Sequence, residues 1–177
     1  MSDHYALPAA RNDHRYRIGV VCLGNICRSP IADAVLRDKI ERAGLADLVE
    51  VDSAGTGDWH LGHPMDRRAA AVLATSGYDS SRHRAQQFTA RWYADHDLLL
   101  AMDASNLRGV QALAPDPETA AERTRMFREF DPWATEDDRE VPDPYYDNGD
   151  GFALVLAMIE RTADELTHQL QEHLRPE

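Results

Sequence analysis

Hydrophobic positions along the chain change period repeatedly, and each change predicts an element. Short apolar runs bounded by polar residues read as buried strands over Arg17–Cys22, Leu48–Ser53, Asp97–Met102 and Arg123–Arg128. Between them the spacing turns helical. It predicts helices over Ser29–Ala43, stopped by Gly44, and over Asp66–Ser76, closed by Gly77. Thr89–Ala94 reads as a short helix, and Ser105–Leu113 as one that runs out before Pro115. The strongest pattern closes the chain: Phe152, Val155, Leu156, Ile159, Ala163, Leu166 and Leu170 fall on one face of a helix over Asp150–Leu174. Strands alternating with helices predict one α/β domain. Its four-stranded parallel sheet is flanked by helices on both faces and joined by right-handed crossovers. The stretch from Asp131 to Asp150 is the one long irregular loop, a feature that often carries function.

The first strand runs into Cys22-Leu23-Gly24-Asn25-Ile26-Cys27-Arg28-Ser29-Pro30, and the next helix follows at once. Open α/β sheets bind ligands at such strand ends. A free thiol is largely protonated at neutral pH and attacks poorly. A helix N-terminus with its unpaired N–H groups, or a nest of successive N–H groups, stabilises a thiolate and an anion alike. Arg28 adds a planar fork that matches two phosphate oxygens. Ser29 can donate to the sulfur, and Gly24 and Asn25 tolerate the left-handed backbone of a tight loop. Pro30, just inside the helix, has no N–H to leave unsatisfied. A second candidate lies far downstream in Val141-Pro142-Asp143-Pro144-Tyr145-Tyr146. Two prolines stiffen the backbone around Asp143. A carboxylic acid there can protonate a departing phenolate, whose conjugate acid has a pKa near 10. Its protonated form would be favoured by negative charge nearby: the substrate phosphate and Glu136, Asp137, Asp138, Glu140, Asp147 and Asp150.

These two motifs resemble those of the low-molecular-weight protein tyrosine phosphatases, closer to the eukaryotic-like branch. Val51 to His60 and Ala101-Met102-Asp103 resemble further family segments in the same order. The likeness covers about Arg17 to the C-terminus, so we expect the phosphatase domain at 17–177 and a disordered tail at 1–16. It implies hydrolysis of phosphotyrosine in proteins through a cysteinyl-phosphate, with Cys22 as nucleophile, Arg28 as phosphate clamp and Asp143 as acid and then base. It further implies that Leu23, Gly24, Asn25, Ile26, Cys27 and Ser29 cradle the phosphate. Trp59, Tyr145 and Tyr146 would wall the mouth, and Asn25, Ser53 and His83 would order the loop. Ordinary core packing is the competing account of the aromatic residues and of His83, and a helix cap is a second role open to Asp103. No cofactor and no metal are implied; His60 and His63 have no matching Cys/His pair at zinc-type spacing.

Composition narrows the partners. A net charge of −12 over 177 residues argues against a nucleic-acid partner. No apolar run approaches the length of a membrane span, and the first seventeen residues lack a signal-peptide core. A cytoplasmic location is expected, with secretion by another route left open. One lysine beside eighteen arginines suggests a GC-rich, bacterial genome. The expected substrates are phosphotyrosine proteins, such as a bacterial tyrosine kinase or a host protein, and inorganic phosphate is the product and an inhibitor. The two cysteines share one loop, which fits a reducing compartment and predicts a reversible Cys22–Cys27 disulfide on oxidation. Arsenate reductases use a similar loop but relay to further cysteines, and this chain has none. Arginine phosphatases resemble it with threonine where Ile26 stands; Ile26 and the Tyr145-Tyr146 pair favour an aryl phosphate. A phosphate-binding module without catalysis, or a thiol-redox protein, is the alternative from another class.

Overall fold

The computed structural model describes residues 6–11, 15–146 and 150–175. Four strands, β1 (Tyr16–Cys22), β2 (Val49–Gly55), β3 (Leu98–Ala101) and β4 (Thr124–Met126), form one parallel sheet in the order β2-β1-β3-β4. The helices are α1 (Arg28–Arg42), α2 (Arg67–Thr75), α3 (Trp92–Asp95), α4 (Ala104–Ala112), α5 (Pro117–Arg123) and α6 (Asp150–Leu174). Alternation along each strand sorts the core into two layers. Ile18, Val20 and Cys22 of β1, with Leu98 and Leu100 of β3, face α1, α2 and α6, while Val21 and Leu99 face Phe88, Trp92, Tyr93 and Val110. All seven apolar positions expected on one face of α6 are buried.

β1 reverses the strand order, since β2 lies on one side of it and β3 on the other. The loops leaving β1 and β3 therefore diverge to opposite faces and open a crevice at their carboxyl ends. That crevice receives three segments: the 22–29 loop after β1, Asp103 after β3, and the stretch at Val141, whose N–H donates to Met102 O at 2.8 Å.

The structure departs from the expected elements in three places. Strand four is only three residues long, because it pairs with the short β3 alone and then turns into a 3₁₀ segment, Phe127–Phe130. Helix α5 was not expected, although Asp116-Pro117 carries its signal: the Asp116 side chain caps Thr119 N at 2.7 Å and proline occupies the first turn. The described part of the expected tail packs on the domain. Tyr16 is a buried residue of β1 whose hydroxyl donates to Pro8 O at 2.8 Å, Arg123 donates to Ala9 O, and Arg11 N donates to Asp97. These partners offer backbone groups what water would otherwise supply. The rest of that segment lies outside the described residues.

The packing predicts a clear contrast within α6. Leu166→Ala, in a fully buried position, should cost about 2–5 kcal/mol, whereas Leu154→Ala, at a side chain 63% exposed, should stay within about 0.5 kcal/mol. Urea unfolding of the two variants checks this; equal losses would contradict the assigned core face.

Candidate active site

Everything in the 22–29 loop turns on Asn25. It is the only non-glycine residue with positive φ (57°) among the described residues, and it is fully buried. The left-handed conformation thus falls on Asn25 alone, not on Gly24 as well. Each polar group of Asn25 has a partner. Its N–H points at Cys22 Sγ (3.3 Å), and its carbonyl accepts from His83 Nε2 (2.6 Å). Oδ1 accepts from Gln86 N (2.9 Å), and Nδ2 donates to Ser29 Oγ (2.8 Å) and Ser53 Oγ (3.0 Å). Such a complete set holds a backbone conformation that would otherwise be disfavoured.

The network also orients the hydroxyl of Ser29. Ser29 Oγ accepts from Asn25 and lies 3.0 Å from Cys22 Sγ, a contact in which either atom can be the donor, with Ala54 O at 3.4 Å as a further acceptor for the hydroxyl proton. An N–H and a hydroxyl thus converge on the sulfur. The carbonyl partner likewise fixes the His83 tautomer, with the proton on Nε2. Burial pushes the His83 pKa down, outweighing the bond to Asn25 O that pulls it up, so the ring is neutral at pH 7. Gly55, opposite, is required by the closeness of the loop: a Cβ there would lie 2.7 Å from Leu23 O.

Arg28 opens α1 and is 2% exposed. Nη1 donates to Asp103 Oδ2 (2.6 Å) and to Val141 O (3.0 Å), and Nη2 lies 3.5 Å from Asp143 Oδ2. Burial works against the guanidinium charge, but the Cys22 sulfur, Asp103 and Asp143 outweigh it and raise the Arg28 pKa. Asp103 does two jobs, since its Oδ1 also caps α4 at Asn106 N (2.7 Å). The helix-cap role is therefore present, and the sequence did not disclose the pairing with Arg28.

A cleft of about 420 Å³ is lined by Cys22, Leu23, Gly24, Ile26, Cys27, Arg28, Trp59, His60, Asp143, Tyr145 and Tyr146. Asn25, Ser29, Ser53 and His83 stand behind it in the network just described. Trp59 is 65% exposed and Tyr146 91%, so neither is a core residue. The Trp59 ring lies over Gly57, where a Cβ would collide with it at 1.9 Å. Cys22 and Cys27 are both free and buried; burial, then Asp66, pushes the Cys27 thiol well up, leaving it protonated. The expected acidic surround of Asp143 is partly engaged elsewhere. Asp138 pairs with Arg128 and Glu140 accepts from Ala104 N, while Asp147 lies outside the described residues. Gln86 gave no sequence signal, because it is placed by a loop whose course the local pattern does not fix, and His60, weighed in the sequence only beside His63, lines the cleft.

A sequence model of the family described as low molecular weight phosphotyrosine protein phosphatase matches residues 17–175. A low molecular weight protein-tyrosine-phosphatase of Streptomyces coelicolor is 47% identical, over 90% of this chain and 96% of the relative. Low molecular weight protein-tyrosine phosphatase A of Mycobacterium tuberculosis is 41% identical, over 87% and 91%. The crystal structure of a protein tyrosine phosphatase from Entamoeba histolytica, with Hepes in its active site, superposes with a TM-score of 0.82. It is 31% identical and covers 89% of this chain and 97% of its own. The chain belongs to the low-molecular-weight phosphotyrosine protein phosphatase family, a family of hydrolases.

A second cavity, of about 400 Å³, backs onto the loop and includes Asp33, Arg37, Asp52, Ser53 and His83. Burial raises the Asp33 pKa to about 6, despite Arg37 Nη2 at 2.9 Å, with Asp52 adding to the rise. A carboxyl raised above its unfolded value of 3.8 disfavours the fold when ionised. That penalty is full above about pH 6, fades as the pH falls, and is gone below about pH 4. Asp33→Asn should therefore be more stable than the parent at pH 7.5, by at most about 3 kcal/mol, and equal to it near pH 4. Denaturant titrations at the two pH values check this; a gap that persists at pH 4 would contradict it.

Proposed function

We propose that the chain hydrolyses phosphotyrosine in proteins through a cysteinyl-phosphate intermediate. The observation that carries this reading is the convergence of Cys22, Arg28 and Asp143 on one cleft, with Arg28 Nη2 3.5 Å from the Asp143 carboxyl. Cys22 Sγ attacks phosphorus in line, the bond from phosphorus to the phenol oxygen breaks, and Asp143 gives that oxygen a proton. Water then attacks the cysteinyl-phosphate, Asp143 takes its proton, and the sulfur leaves with the Ser29 hydroxyl donating to it. Arg28 and the open N–H groups at the start of α1 hold the equatorial oxygens, where phosphoryl transfer gains most of its stabilisation. Inorganic phosphate leaves as product, and the same donors make it an inhibitor.

The shape of the cleft supports an aryl substrate. Trp59 and Tyr145 stand at its mouth as exposed aromatic surfaces, and Ile26 lines its wall. A flat ring fits between such walls and reaches the phosphate site, while the short arm of phosphoserine does not. Two free thiols fit a reducing compartment such as the cytoplasm, and peroxide would join Cys22 to Cys27 reversibly. Among the described residues no helix is long and apolar enough to cross a membrane.

Phosphate release from a phosphotyrosine peptide at about pH 6, beside phosphoserine and phosphoarginine peptides, tests the reading. We expect turnover of phosphotyrosine alone, abolished in Cys22→Ser, and an Asp143→Asn loss of about 10²–10⁴-fold. Turnover of phosphoarginine alone would overturn the aryl assignment. No turnover with reduced thiols would leave a phosphate-binding module.

A further inference from the structure

Pro142 and Asp143 are both exposed between the buried Val141 and Pro144, and Arg28 Nη2 at 3.5 Å is the cation that faces the Asp143 carboxyl. The remainder of its placement falls to what holds the backbone on either side. Just upstream, three consecutive backbone groups are pinned to three different elements. Glu140 O accepts from Arg128 Nη1 at 2.9 Å, Val141 N donates to Met102 O at 2.8 Å, and Val141 O accepts from Arg28 Nη1 at 3.0 Å. Two of those anchors belong to the cleft or the sheet. The third, Arg128, belongs to neither.

Arg128 sits in the 3₁₀ turn after β4 and is among the largest fully buried side chains. Nε donates to Asp131 Oδ2 (2.8 Å), and Nη1 donates to Asp138 Oδ1 (2.7 Å) as well as to Glu140 O. The 131–140 loop thus closes around one guanidinium, held at its start, near its end and at its last residue. Asp131, whose side chain is fully buried, also accepts from Trp133 N and from both Nε and Nη2 of Arg161 on α6, and Arg161 lies 4.0 Å from the Trp133 ring centroid. Burial alone would raise the Asp131 pKa, but Arg161, Trp133 N and Arg128 outweigh it and lower it to about 2. A buried arginine is tolerated only when its donors are met, and no lysine offers a fork that reaches a carbonyl and two carboxylates together.

We propose that Arg128 is the positioning residue for Asp143: by closing the 131–140 loop on itself it fixes the register of Glu140 and Val141, and so the place of the carboxyl over the cleft. This rests on the reading of Asp143 as general acid and base. Arg128 touches no reacting atom. Its loss displaces the acid while the Cys22 loop, held by Asn25, keeps its geometry.

A displaced acid has a signature that general destabilisation lacks. Protonation matters for phenols with pKa near 10 and little for a nitrophenol, which leaves readily as its anion. The test compares kcat/KM, which reports the first chemical step, for phenyl phosphate and a nitrophenyl phosphate. The enzymes are the parent, Arg128→Lys, Asp138→Ala and an Asp143→Asn control. We expect Arg128→Lys to lose about tenfold or more on phenyl phosphate and no more than about threefold on the nitrophenyl ester. Asp138→Ala, at an exposed partner, should shift in the same direction by less, with an unchanged melting temperature, and it decides the matter if Arg128→Lys does not fold. Equal losses on both substrates, or none, in the clamp variants while the control keeps its leaving-group dependence would overturn the proposal alone. A control without that dependence would overturn the reading of Asp143, and the clamp with it.

Discussion

One buried cation organises the carboxyl end of this sheet. Arg28 is almost wholly removed from water, and a bare guanidinium there would cost several kcal/mol. The cost is met by partners from two other segments: Asp103 at the end of β3, and the carbonyl of Val141 in the long loop. The same contacts therefore join the loop after β1, the cap of α4 and the approach to Asp143. Removing Asp103 would strand the charge and uncap α4 together, so those two features cannot vary independently. With Nη1 committed, the rest of the fork is left on the cleft side, where Asp143 stands.

Topology makes that junction possible. β2 and β3 flank β1, so the chain leaves the centre of the sheet into a crevice, and the N-terminus of α1 points its unpaired N–H groups there. Close packing then shapes the loop. Gly55 lets β2 press against Leu23 and Asn25, and Asn25 spends every polar group on holding the turn. Rigidity is divided between two supports that share few residues: the Asn25 network under Cys22 Sγ, and the Arg28 and Arg128 contacts at the approach to Asp143.

Much of this was legible in the sequence, for identifiable reasons. The period of α6 and the apolar runs of β1 and β3 are local signals, and they placed those elements in the core. Cys22 to Pro30 and the Pro142-Asp143-Pro144 segment were visible because spacing and residue type sufficed to mark them. Other features depend on meetings across the chain that no local pattern encodes. Examples are Asp103 with Arg28, Gln86 with Asn25, and Arg128 with the 131–140 loop. Strand four read too long because Phe127 and Arg128 continue its composition, yet β3 offers no further edge for them to pair with. The described part of the N-terminal stretch looked like a tail because its partners, Asp97 and Arg123, lie 86 and 114 residues away.

The central claim is that a phosphoryl group passes through the Cys22 sulfur, with Asp143 serving both halves of the reaction. Rapid acid quench of Asp143→Asn mixed with a nitrophenyl phosphate, whose leaving group needs no acid, followed by mass spectrometry of the proteolysed enzyme, tests it most directly. The account predicts phosphate on the peptide that contains Cys22, accumulating because the base needed for its hydrolysis is gone. Nitrophenol release in step with inorganic phosphate, with Cys22 unmodified at every time, would contradict it.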